Sequence, residues 1–98
     1  MKKRILLPTD FSKNAWNAIK YASELYKTEI IDFFILNAFK VDSYDIESIF
    51  VAKPGDKEYD EALEQSEKDL KKVLKMIELK KAYPNHTYFS MSIFDTPL

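Results

Sequence analysis

The residues with chemistry to offer gather at one place, Thr9-Asp10-Phe11-Ser12, directly behind the run Arg4-Ile5-Leu6-Leu7-Pro8. A short apolar run ended by a proline reads as a buried strand. Asp10 then sits where the strand stops, and Ser12 where a helix can start. Strand, tight turn and helix N-terminus in nine residues is how many α/β proteins open a ligand crevice. Asp10 has two open readings: a carboxylate that accepts hydrogen bonds from a ligand, or a turn or capping carboxylate, since negative charge near a helix N-terminus is stabilising in itself.

The other candidates carry less. His86 is the only histidine; catalytic zinc needs three protein ligands, so it reads as an exposed turn residue beside Pro84-Asn85. Asp42, Asp45, Glu47, Asp56, Glu58, Asp60 and Glu61 lack the spacing and central glycine of a calcium loop. They read as a solvated loop and helix start. No nucleophile stands beside them, so no catalytic residue and no metal site is expected, and the chain is not read as an enzyme. Lys71, Lys72, Lys75, Lys80 and Lys81 alternate with Glu67, Asp69 and Glu78. That is a solvated helix face rather than a nucleic-acid footprint.

Composition sets the frame for these residues. In 98 residues, 46% are hydrophobic and 14% aromatic, enough for one domain, residues 1–98, with a real core. Net charge is -1, which argues against an electrostatic nucleic-acid binder. There is no cysteine, hence no disulfide framework or thiolate site. The basic start Lys2-Lys3-Arg4 precedes too short an apolar run for a signal peptide, and no run is long enough to span a bilayer. A cytoplasmic setting without membrane contact is expected. There is a single glycine, Gly55. A phosphate-cradling loop needs glycines so that backbone N–H groups can approach the anion, and no such loop is present in the sequence.

The elements that must position the crevice follow from periodicity. Ser12 caps a helix predicted over 12–27, with Ala15, Ile19, Ala22 and Leu25/Tyr26 on one face. Ile30 to Phe39 is nearly continuous in apolar character, which predicts a strand covered on both faces. Lys40 to Gly55 is undecided, with a short helix conceivable near Ile46. A long helix is predicted from Asp56 to about Ala82, with Leu63, Ser66, Leu70, Val73/Leu74 and Ile77 as its stripe. Its exposed side offers the i,i+4 pairs Glu64/Lys68 and Glu67/Lys71. His86 to Ile93 alternates cleanly, Thr87, Phe89, Met91 and Ile93 against Tyr88, Ser90 and Ser92. That predicts an edge strand with one face buried and one wetter. Thr96-Pro97 has the form of a further helix start. The order β-α-β-α-β with right-handed crossovers gives strand order three-two-one. Strand one then lies at an edge although its sequence is that of a central strand.

Ile5-Leu6-Leu7-Pro8-Thr9-Asp10-Phe11-Ser12, the alanine-rich helix behind it, and Phe33-Phe34-Ile35-Leu36-Asn37-Ala38-Phe39 resemble the universal stress protein family. The resemblance covers roughly the first two-thirds of such a domain. It implies a three-layer, flavodoxin-like or Rossmann-like parallel sheet, here incomplete, in a protein that is usually dimeric, often binds ATP and serves stress tolerance. By the resemblance, Asp10 and its neighbour Thr9 would meet the adenosine part of the nucleotide, and the backbone at Ala38 the adenine. Asn37 stands where the family commonly has histidine. The family holds phosphates on a glycine-rich stretch after strand four, and the sequence stops before it. ATP binding is therefore expected to be impaired. The expected partner is a second copy, joined through the open edge of strand one or a packed face.

Overall fold

A computed structural model describes residues 2–41, 54–80 and 83–95. The Ile46 region and Thr96-Pro97 lie outside the described residues. The elements run β1(Lys3–Pro8), α1(Lys13–Leu25), β2(Ile31–Phe39), α2(Lys57–Leu79), β3(His86–Phe94). The three strands form one parallel sheet with β2 in the middle, so Leu7 pairs with Ile35 and Ile35 with Ser90. This is the predicted α/β order.

Local chemistry accounts for the helix ends. The Ser12 hydroxyl accepts the Ala15 N–H at 3.1 Å while its own backbone stays extended. Such a cap contributes about 1 kcal/mol. Asp56 is the N-cap residue of α2, with Glu58 and Asp60 in the first turn where the macrodipole favours them. The α2 stripe is as read from the sequence: Ser66, Leu70, Val73 and Ile77 are buried. The helix-face ion pairs differ. Among the described residues α2 closes Lys57–Glu61 and Asp69–Lys72, at 4.0 and 3.9 Å, rather than Glu64/Lys68 and Glu67/Lys71. Such exposed pairs add little to stability, so nothing fixes one choice over another.

Both helices lie on the same side of the sheet. Ile19 of α1 and Leu70, Val73 and Ile77 of α2 meet over Ile35 in one buried cluster. A second cluster joins Ala22, Ile31 and Phe33, and Leu7 and Tyr88 border both. The described residues thus supply the sheet and one helical layer. Two features of the sheet's faces follow from this. Among the described residues, helices cover β2 on one face: Ile31, Phe33 and Ile35 are fully buried, whereas Phe34 and Leu36 are half-buried and Ala38 is exposed. In β3 the face turned to the helices carries Tyr88 and Ser92, and the wetter face is the apolar one. Phe89, Met91 and Ile93 are 44%, 50% and 43% exposed, and Leu6 on β1 is 63% exposed. Register dictates this. Stacking Tyr88 on Phe33 and bonding Ser92 to Ser66 of α2 turns the intervening residues outward.

His86 is also corrected. It is buried, with Nε2 2.7 Å from the Tyr26 carbonyl and its ring edge-on to Phe33 at 5.0 Å. The turn is made by Pro84 and Asn85, and His86 already belongs to β3, opposite Ile31. A carbonyl only accepts, so Nε2 carries the proton.

Candidate functional site

Parallel strands deliver their carboxyl ends to one edge of the layer, and there Thr9, Asp10 and Ala38 come together. A cleft of about 510 Å³ opens between the ends of β1 and β2, lined by all three together with Ser12, Asn14 and Asn37. Thr9 is buried, whereas Asp10 and Ala38 are exposed to the cleft.

The turn after β1 is held at every residue. Thr9 N–H donates to the Leu36 carbonyl at 2.7 Å, continuing the ladder one step beyond the strand. The Thr9 hydroxyl accepts the Phe11 N–H at 3.0 Å. Asp10 Oδ1 accepts the Ser12 N–H at 2.9 Å. Hydrogen bonds from Ser12 hold the Asp10 carboxyl below the usual carboxylate range, so it is ionised at neutral pH. Of its two readings, the turn carboxylate is visible in this bond. The side chain still borders the cleft, so the turn role and a ligand role are compatible. Phe11 sits at φ 65, left-handed backbone that a side chain adopts at a cost of about 1–2 kcal/mol. The flanking hydrogen bonds offset that cost.

Asn37 is the site residue that sequence reasoning undervalued. It is buried, its Nδ2 donates to the Thr9 carbonyl at 2.9 Å, and its Oδ1 accepts the Ser66 hydroxyl at 2.7 Å. Ser66 in turn lies 2.7 Å from the Ser92 hydroxyl. Its signal in the sequence is a polar residue inside the apolar part of β2, Phe33 to Phe39. A second hollow lies between the helices, where Trp16 and Ile19 border spaces of about 260 and 360 Å³. Among the described residues, no group of histidine, cysteine or carboxylate side chains is arranged to hold a metal ion. None of their helices is long and apolar enough to cross a membrane.

Fold and cleft together define a parallel α/β domain with a crevice beyond the carboxyl ends of its strands. The universal stress protein family matches residues 1–87, and the chain belongs to that family. Among solved structures it is similar to the universal stress protein UspA from Lactobacillus plantarum, with TM-score 0.59 and 18% identity. The likeness covers 94% of this chain and 61% of that one, so the chain spans less than two-thirds of its structural neighbour. At that identity the neighbour speaks for the fold. No curated protein gives a significant match.

Proposed function

We propose that this universal stress protein domain acts in the stress response by associating with a second copy, and that its nucleotide site is impaired. The supporting observation is the apolar face of the sheet that no described helix covers, where Leu6, Phe89, Met91 and Ile93 are each 43–63% exposed. Burying such a side chain fully is worth about 1.5–3 kcal/mol. Half-exposed residues gain about half of that, so four from each copy return roughly 6–12 kcal/mol. This is comparable to the roughly 4–15 kcal/mol cost of association. The edge of β1 that no described strand pairs can add backbone pairing. Impaired nucleotide binding rests on the lone Gly55, which leaves no glycine-rich cradle in these 98 residues. The role needs no catalytic step, and its setting is the cytoplasm. Light scattering at micromolar concentration should give a dimer, and Ile93→Lys or Phe89→Asp should give monomers that remain folded. A stable wild-type monomer would remove the proposal.

The cleft favours a second reading, an ATP-binding domain, with hydrolysis in its scope, whose phosphate half comes from a partner chain or from further residues. Thr9, Asp10 and Ala38 would meet the nucleoside. Equilibrium dialysis with ATP should then show binding that Asp10→Ala weakens about tenfold, the loss of one charge-assisted hydrogen bond. No binding up to millimolar ATP counts against this reading, and unchanged binding in the variant sinks the site.

A further inference from the structure

We infer that Asn37 is a positioning residue for the cleft, acting through a one-way hydrogen-bond chain that ties the turn after β1 to α2 and β3. The direction follows from donor and acceptor chemistry. The Thr9 carbonyl can only accept, so the Asn37 amino group must face it, which leaves Asn37 Oδ1 for Ser66. Ser66 has one hydroxyl proton and gives it to Asn37. The proton in the 2.7 Å contact between Ser66 and Ser92 is therefore the one on Ser92. The chain runs Ser92 to Ser66 to Asn37 to Thr9, across β3, α2, β2 and the turn.

The placement makes the chain a lever on the cleft. Thr9 is the last residue on the ladder before Asp10, and its own hydroxyl holds the strained Phe11. Asn37, Ser66 and Thr9 are buried, at 8%, 3% and 7% exposure. Water cannot readily replace a missing partner there, so each deletion leaves a group unpaired. A shift of α2 or β3 is transmitted to the Thr9 carbonyl, and the turn that presents Asp10 moves with it. Asp10 is bonded within the turn, to the Ser12 N–H, and beside the Thr9–Leu36 backbone bond it is the Asn37 side chain that ties this turn to α2 and β3.

The functional weight of this inference rests on the second reading above, the cleft as a nucleoside site, and the experiment separates the two. Amide exchange at Thr9 and Phe11 is measured by NMR in the wild type and in Asn37→Ala, Ser66→Ala and Ser92→Ala, with adenosine titrated into each. Val73→Ala is the control: it weakens the core on the same buried stripe of α2, and Val73 is no member of the hydrogen-bond chain. Exchange at Thr9 and Phe11 should rise about five- to tenfold in Asn37→Ala and Ser66→Ala, the loss of one buried hydrogen bond, and less in Ser92→Ala. In Ser66→Ala the side-chain amide signal of Asn37 should move. In Val73→Ala it should stay in place, and Thr9 and Phe11 should respond no more than the rest of the sheet. Responses in Ser66→Ala no larger than in Val73→Ala overturn the inference, and Ser66→Ala decides alone if Asn37→Ala does not fold. Absence of adenosine binding by the wild type overturns the ligand reading of the cleft, and the exchange data still judge the chain.

Discussion

Phe33→Ala is expected to destabilise the domain by about 3–5 kcal/mol, the range for a buried aromatic deletion. Phe33 is fully buried in the middle strand. Its ring stacks on Tyr88 at 5.0 Å, is edge-on to His86 at 5.0 Å, and packs with Ala22 and Ile31. Truncation removes the transfer free energy of a benzyl group and both ring pairs, each worth about 0.5–1.5 kcal/mol. The cavity would be walled by two β-strands and a helix that are fixed by their own hydrogen bonds, so it closes poorly. Against a total stability of about 5–15 kcal/mol, this is a large part of the whole. Urea denaturation should show the midpoint falling with an unchanged slope. A loss under 1.5 kcal/mol would mean that Tyr88 and His86 collapse into the space.

Leu70→Ala should cost about 2–5 kcal/mol by the same mechanism in the other cluster. Leu70 is 1% exposed and sits with Ile19, Ile35, Val73 and Ile77 where both helices meet the sheet. Helix propensity does not confuse the result, because alanine is at least as good a helix former as leucine. The same helix carries its own control. Leu79 is 74% exposed, so Leu79→Ala should stay within about 0.5 kcal/mol of wild type. If the two leucine variants unfold at similar urea concentrations, α2 does not pack through Leu70.

Which parts were legible follows from the range of the interaction. Ser12 as a cap, the apolar stripe of α2 and the parallel βαβ order are set within a few residues or by crossover handedness. The sequence carries them openly. The face of β3 is set from a distance, by Phe33 choosing Tyr88 and by Ser66 choosing Ser92. Alternation shows that two faces differ, and it does not show which one the helices take. The place of His86 escapes local pattern for a related reason. Pro84-Asn85 marks a turn, but only the pairing with Ile31 shows that the next residue is already in the sheet. Asn37 reaches Thr9 and Ser66 across 28 and 29 positions, which no local pattern encodes.

The all-parallel register has a consequence for how the chain assembles. Parallel strands cannot be started by a tight turn, so no hairpin seeds this sheet, and each pairing waits for a crossover to close. β1 and β2 are separated by one short helix and are both available early in synthesis. β3 must return across α2 and the segment before it. Doubling a loop costs only about 0.6 kcal/mol in closure entropy, so the delay is one of time and sequence more than of energy. During that interval the second edge of β2 is unpaired, with Ile31, Phe33 and Ile35 awaiting partners. The chain is most open to misassembly while its best strand is half-married, and prompt arrival of β3 is what ends that exposure.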